Sequence, residues 1–198
     1  MKIIIGFGIL LLLFAGFQLY ISVDTNRTEQ QKYEMIERLG KLEIRYYPEA
    51  VMASTLTDKN YRSGSRSGFR TLAGYIFGSN DESSKIAMTA PVYMKEDQDH
   101  GSMSFVMPEG MSLEDLPKPN NKNVRLHLTE ARHVACIQFS GFANDEIIAE
   151  KKAQLLSEVE AAGLKYKGAV EYLGYNPPYQ VVGRRNEVMV ELVDYNQQ

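Results

Sequence analysis

The chain has 198 residues, 44% hydrophobic and 24% charged, which is the usual composition of one globular domain with a buried core. Its formal net charge of −3 argues against broad nucleic-acid binding, which needs a basic surface to displace counterions. The single cysteine, Cys136, excludes an intramolecular disulfide and a CxxC metal site.

An apolar run occupies the N-terminus from residue 3 to residue 21, with Gln18 and Tyr20 as its polar members. A helix of this length, at 1.5 Å per residue, comes close to the ~30 Å thickness of the hydrocarbon core of a bilayer. The run has no polar face and therefore does not fit a soluble fold. Two interpretations stay open. A retained membrane anchor explains the length better, whereas a cleaved signal peptide needs a shorter core and a small-x-small site.

The N-terminal charge indicates an orientation. Lys2 and the N-terminal amine favour an N-terminus inside the cytoplasm. We therefore expect a membrane-anchored protein whose domain is periplasmic or extracellular, or a secreted protein if the segment is cleaved. Residues 22–32 are polar and aperiodic. We assign residues 1–21 to the anchor or signal peptide, residues 22–32 to a tether and residues 33–195 to one folded domain.

Strand-like alternation marks the start of the folded domain. Residues 41–57 alternate apolar and polar side chains around a Tyr47-Pro48-Glu49 turn, which predicts a hairpin. Residues 62–67 are rich in Ser, Gly and Arg, and they are interpreted as the approach to a helix.

The helix that follows carries a single apolar stripe at helical spacing. Its members are Phe69, Leu72, Ala73, Ile76 and Phe77. Gly78 is placed as the residue after the helix, where a left-handed backbone is needed. Strands are predicted next at residues 85–94 and 103–107.

The second half of the domain repeats this order of elements. Residues 123–128 and 133–140 predict another hairpin. Asn144 is a suitable N-cap for a longer helix, which ends at Gly163. Two more strands complete the set, at residues 169–175 and 187–193.

Hairpin, helix and two strands therefore occur twice, joined by a proline-rich connection at residues 108–122. We expect an α+β fold in one domain. It would be a distorted β-barrel of two pseudo-symmetric ββαββ-type repeats, with two flanking helices outside the sheet.

Several segments of the chain resemble the SOUL heme-binding protein family. LEIRYYPEAVMAST (42–55) is similar to its first hairpin, and GFRTLAGYIFGSN with KIAMTAPV (68–92) to its first helix and following strand. GYNPPYQVVGRRNEVMVEL (174–192) is similar to its closing hairpin. The pieces MTAPV and RRNEV are the most specific. The family fold, a distorted β-barrel with two helices, agrees with the repeat described above.

The resemblance implies non-covalent binding of heme or another tetrapyrrole in a shallow apolar groove along the first helix. Carried across by position, the basic Arg66 would pair with a propionate, because a guanidinium matches a carboxylate well. Phe69 would stack on the macrocycle, and Ala73 would leave room for it. The complete set of candidate binding residues is Arg66, Phe69, Arg70, Ala73 and Gln180.

Two positions depart from the family pattern. Phe69 and Ala73 stand where the family often has Met, and Gln180 stands where it can place a basic residue. Arg184 or Arg185 is therefore an alternative contact for the second propionate. The axial ligand stays open, because nothing in the sequence places His100, His127 or His133 over the first helix.

A binding function follows from these expectations. Without a fixed iron ligand, binding would rest on apolar burial, which points to weak, exchangeable heme and a role in buffering or carriage. The chain has no GxSxG, HExxH, P-loop or GxGxxG motif, so we predict no catalytic residues and no enzymatic activity. Two alternatives are a binding module for another amphiphile and a module that takes a partner's helix at the membrane.

Overall fold

A computed structural model describes residues 2–97 and 99–195, with the side chains of residues 2–7 excluded. Three helices lie in this part of the chain: α1 Lys2–Arg27, α2 Tyr61–Ile76 and α3 Asp145–Ala161. The strands in the same part are β1 Glu29–Gln30, β2 Glu34–Leu39, β3 Leu42–Tyr47, β4 Ala50–Thr57, β5 Thr89–Ala90, β6 Val92–Glu96, β7 Gly101–Val106, β8 Arg125–Thr129, β9 Arg132–Phe139, β10 Tyr166–Gly174 and β11 Asn186–Leu192.

Nine of these strands form one antiparallel sheet in the order β2-β3-β9-β11-β10-β6-β7-β4-β8. The remaining two, β1 and β5, form a short parallel pair. The large antiparallel sheet with its helices gives the expected α+β fold. The expected barrel is not confirmed, because the end strands β2 and β8 do not pair with each other among the described residues.

Both predicted hairpins are wrong. β3 pairs with β2 and β9, whereas β4 pairs with β7 and β8, so the Tyr47-Pro48-Glu49 turn leads the chain away from β3. Similarly, β8 pairs with β4 and β9 pairs with β3 and β11. Alternation along a strand indicates which face is buried, but it carries no information about the neighbouring strand. The pairing is set by tertiary packing.

The core has three parts, one beneath each of α2 and α3 and one in the interior of the sheet. Leu72 and Ile76 of α2 pack on Phe105. Leu155 of α3 packs with Ile137. The third part joins side chains from both halves of the sheet: Tyr47, Met52, Ala90, Tyr93, Val106, Val134, Cys136, Leu173, Tyr175 and Met189. Cys136 is fully buried there, as expected of a core thiol.

Helix α2 begins earlier than the apolar stripe indicates. Its N-cap is Asn60, whose Oδ1 accepts hydrogen bonds from the backbone N–H groups of Arg62 and Ser63. Residues 62–67 are therefore helical, although Ser and Gly favour helices only weakly. Packing explains this, because a Cβ at Gly64 would lie 2.4 Å from the backbone oxygen of Asp58. The missing side chain lets the helix approach the end of β4.

The predicted helix ends are confirmed. Gly78 has φ +111° directly after the C-cap of α2, and Gly163 has φ +68° after that of α3. Both take the left-handed conformation that glycine adopts without strain. Asn144 caps α3 by accepting from the backbone N–H of Ile147 at 2.8 Å.

Helix α1 extends beyond the predicted anchor. Residues 22–27, expected to belong to a tether, continue the helix, and Glu29–Gln30 pairs with Thr89–Ala90. Its segment Gly8–Arg27 is long and apolar enough to cross a membrane. Met1 lies outside the described residues, as does the side chain of Lys2 on which the predicted orientation depends.

Candidate functional site

The candidate site is the outer face of α2, where residues three and four positions apart share one side of the helix. Phe69 is 43% exposed and Phe77 is 61% exposed, whereas Leu72 and Ile76 are buried in the core. Two aromatic rings are thus presented to solvent on a helix whose opposite side is packed. Phe77 belongs to the predicted stripe, but the predicted binding set does not contain it.

Phe69 and Ala73, the two apolar residues expected to contact the ligand, differ in accessibility. The Phe69 ring meets Phe105 of β7 edge-on, with 5.4 Å between the ring centroids, and this contact steadies the ring while leaving much of it exposed. Ala73 is 9% exposed. It therefore forms the floor between Phe69 and Phe77 and offers little surface of its own.

Positive charge accompanies these rings. Arg66 and Arg70 are exposed on the same side of α2, one helical turn apart. No ion pair involves either guanidinium within the described part of the chain. The outer face of α2 therefore combines apolar rings with two unneutralised cations, a pattern suited to an amphiphilic anion.

Gln180, the fifth candidate, does not contact α2 in any described interaction. It is 2% exposed, and its Oε1 accepts a hydrogen bond from Thr25 Oγ1 of α1 at 2.8 Å. Its Nε2 donates to the backbone oxygen of Val182 at 3.0 Å. The side chain therefore fixes its own loop against α1.

The alternative arginines are also engaged in the protein. Arg184 Nη1 donates to the backbone oxygens of Pro177 and Gln180 at 2.8 and 2.7 Å. Its guanidinium lies 4.6 Å from the centroid of the Phe142 ring. Arg185 donates to Glu187 through Nε and Nη2, at 3.0 and 2.7 Å. The structure thus groups four predicted residues on α2 and leaves the closing loop apart from them.

His127 and His133 lie away from the outer face of α2. Leu126 packs against the core beneath α2, so His127, the next residue of β8, points to the opposite face of the sheet. His127 Nε2 lies 2.8 Å from Ser54 Oγ. His133 lies between the rings of Tyr46 and Tyr195. In the part of the chain that is described, no group of three or more His, Cys, Asp or Glu is arranged to hold a metal ion.

A buried charge network occupies the interior of the sheet. Arg45 donates to both carboxylate oxygens of Glu187, which also accepts from Tyr175 and Arg185. Burial raises the pKa of Glu187, but the hydrogen bonds and charges of Arg45 and Arg185 outweigh it, so the net pKa is lowered. Burial and the Glu187 carboxylate raise the pKa of the Cys136 thiol. Arg45 and Glu187 are fully buried, so this network satisfies charges inside the sheet and is not accessible to a ligand.

A separate groove of about 600 Å³ lies away from α2. Its apolar wall includes Met107, Met111 and Leu128, and its rim carries Glu109. The Glu109 carboxylate pairs with Lys32 at 2.6 Å. Sequence patterns did not indicate this groove, because it is lined by the proline-rich connection, which has no periodicity to interpret.

The family model described as SOUL heme-binding protein matches residues 28–191. Heme-binding protein 2 of Mus musculus is 30% identical over 158 residues, which cover 75% of this chain and 77% of that protein. Heme-binding protein 1 of Mus musculus is 27% identical over 173 residues, covering 81% and 90%.

Solved structures with the same fold are more distant in sequence. The EcmrR C-terminal domain has a TM-score of 0.59 at 12% identity, covering 80% of this chain and all of that domain. A hydrolase from Listeria innocua has a TM-score of 0.53 at 11% identity, covering 87% of this chain and 97% of that one. These likenesses concern the fold alone. On the family match and the heme-binding relatives, this chain belongs to the SOUL heme-binding protein family.

Proposed function

We propose that this protein binds heme or a related porphyrin on the outer face of α2. The observation that carries the proposal is the exposure of Phe69 and Phe77 beside Arg66 and Arg70, none of which is needed to fill the core. The two rings stand eight residues apart, about 12 Å along the helix axis. That spacing suits a flat macrocycle, whose edge carries the carboxylates that Arg66 and Arg70 would pair with.

The residues present fit an exchangeable ligand. Covering ~100 Å² of apolar surface would contribute about 2.5 kcal/mol, and association costs offset much of the total. His127 and His133 are not directed at this face, so apolar contact and the arginines would carry the affinity. Bound heme would supply an iron centre, while the chain itself would orient the macrocycle and neutralise its propionates. We infer buffering or carriage in place of catalysis.

We further propose that α1 anchors the domain to a membrane with the binding face outside the cytoplasm. The support is a helix whose described side chains from Ile9 to Phe17 are all exposed and almost all apolar. Exposure of this kind is costly in water and favourable in a bilayer.

Hemin titration of the full chain in mild detergent tests the binding proposal. A saturable shift of the Soret band is expected, and Arg66→Glu should weaken binding by about tenfold, which is ~1.4 kcal/mol. Lys165→Glu is the matched control, because it makes the same charge change at an exposed site beyond the end of α3. Equal loss of affinity in both variants would mean that only net charge matters and would remove Arg66 from the site.

A second candidate is a binding module for another amphiphile, favoured by the groove that contains Met111 and Leu128. Leu128→Asp places a charge at its wall, and Leu128 is 49% exposed, so the fold should tolerate the change. If Leu128→Asp abolishes the hemin response while Phe77→Ser preserves it, the ligand binds in the groove and not on α2. The opposite result supports the α2 face.

A further inference from the structure

The loop that connects β10 to β11 lies against α1. Gln18 Nε2 donates to the backbone oxygen of Tyr179 at 3.2 Å, and Gln18 Oε1 accepts from the backbone N–H of Val181 at 2.9 Å. Gln18 and Ile21 are the two buried residues of α1 among those with described side chains. From Ile9 to Phe17 the side chains of the helix are therefore free of the domain, and Gln18 and Ile21 contact it.

Several polar groups of this loop, residues 177–183, are hydrogen-bonded within the protein. Arg184 donates to the backbone oxygens of Pro177 and Gln180, and Gln180 donates to that of Val182. Thr25 of α1 donates to the Gln180 side chain. Internal hydrogen bonds of this kind lower the cost of placing a segment at the edge of a hydrocarbon phase.

The side chains that this loop presents outward are apolar or aromatic. Tyr179 is 59% exposed, Val181 is 47% exposed and Val182 is 66% exposed. The sequence PPYQVVG contains no charged residue. Phe142, 54% exposed, lies beside the loop through its contact with Arg184. Exposed apolar side chains grouped on one uncharged loop indicate a binding surface.

The position of the loop along α1 indicates the environment of its exposed side chains. The apolar run ends at Ile21, and Gln18 lies three residues earlier, about 4.5 Å deeper along the helix axis. If the helix spans a bilayer, the loop is held at the depth of the interface. Tyr20, 69% exposed, and Tyr179 both lie at this level, and tyrosine is enriched at membrane–water interfaces.

We infer that the loop formed by residues 177–183 is a second membrane contact, which inserts Tyr179, Val181 and Val182 into the interfacial region of the bilayer that α1 crosses. This inference rests on the proposed anchoring role of α1 and is independent of the heme proposal. With two attachments joined by Gln18, the domain has a fixed orientation on the membrane.

The absence of tryptophan from the sequence makes a direct test possible. Single tryptophans are introduced as Val182→Trp in the loop, Leu12→Trp in α1 and Leu56→Trp on β4, where Leu56 is 71% exposed. Each full-length variant is reconstituted into phosphatidylcholine vesicles with and without brominated lipid. We expect strong quenching for Leu12→Trp, a blue shift with intermediate quenching for Val182→Trp, and neither for Leu56→Trp.

The possible outcomes distinguish the membrane contact of the loop from the anchoring role of α1. If Leu12→Trp is quenched and Val182→Trp matches Leu56→Trp, the loop contact is rejected while the anchor stands. If none of the three is quenched, the anchor is rejected and the loop contact with it. Hemin titration of the same variants reports on the heme proposal separately.

Discussion

Arg45 and Glu187 form a fully buried, bidentate ion pair in the interior of the sheet. Arg45 Nη1 lies 2.8 Å from Glu187 Oε2, and Nη2 lies 3.0 Å from Oε1. The two residues belong to β3 and β11, which both pair with β9, so the side chains meet across an intervening strand. Arg185 and Tyr175 complete the coordination of the carboxylate. The pair therefore ties three strands together from inside the sheet.

Removing the Glu187 carboxylate should destabilise the fold. Glu187→Gln keeps the shape of the side chain but removes the charge that Arg45 and Arg185 share, leaving Glu43 as the remaining carboxylate partner of Arg45. This change should lower the free energy of unfolding by ~3 kcal/mol, the lower end of the cost of breaking a buried ion pair. This free energy is measured by urea unfolding of the full chain in detergent, with circular dichroism as the signal. Glu150→Gln removes one partner of the solvent-exposed pair with Lys151 and should change stability by less than ~1 kcal/mol. If Glu187→Gln and Glu150→Gln lowered the free energy of unfolding equally, the structural role of the buried ion pair would be contradicted.

The same carboxylate predicts a pH dependence. Its net pKa lies below the ordinary value of 4.5, so its contribution to stability is present above about pH 4.5 and is lost as the pH falls through the lower folded-state value. The difference in urea midpoint between wild type and Glu187→Gln should therefore shrink as the pH falls below about 4.5. A difference that stays constant over this range would show that another group titrates.

Two glycines of α2 make opposite predictions for the same substitution. A Cβ at Gly64 would lie 2.4 Å from a backbone oxygen, so Gly64→Ala should cost ~1–3 kcal/mol or displace the helix. Gly74 has no neighbour closer than 3.8 Å, and Gly74→Ala should stabilise by up to ~1 kcal/mol through helix propensity. Thermal unfolding of both variants decides the matter. Stabilisation by Gly64→Ala would mean that α2 does not lie this close to β4.

Contact between α1 and the closing loop predicts local protection from exchange. Gln18→Leu removes two hydrogen bonds while making the helix more apolar, so amides of residues 179–183 should exchange about tenfold faster. Hydrogen exchange with mass spectrometry measures this. Phe17→Leu, at an exposed neighbour on α1, should leave the exchange unchanged. Unaltered exchange in Gln18→Leu would show that the loop does not depend on α1.

The element types followed from local sequence, but the pairing of strands did not. Asn144 and Gly163 marked the ends of α3 because capping chemistry is local. The hairpin expected around Pro48 failed because β3 is buried on both faces, so its pattern fits several neighbours equally well. The charge network was missed for a related reason, since Glu43 and Glu187 lie far apart in sequence and meet only through Arg45.

The candidate site was predicted in part. The helical stripe located Phe69 and Ala73 correctly on α2, because the spacing of residues fixes the face of a helix. The assignment of Gln180 came from the family resemblance, and the structure places that side chain against Thr25. Whether a residue in a loop faces a ligand depends on how the loop is held, which no local pattern specifies. Binding of heme at these positions stays a prediction.

The order of strands has a consequence for synthesis of the chain. β3 pairs with β9, and β4 pairs with β8. Strands from the first half of the sequence therefore pair with strands from the second half in both halves of the sheet. A nascent polypeptide that ends before residue 125 therefore exposes two vacant strand edges, which are templates for mispairing. A break in the connection at residues 108–122 would yield two fragments, and each would require the other for the backbone hydrogen bonds of its unpaired strand edges. Both edges are covered only after β8 and β9 have been synthesised.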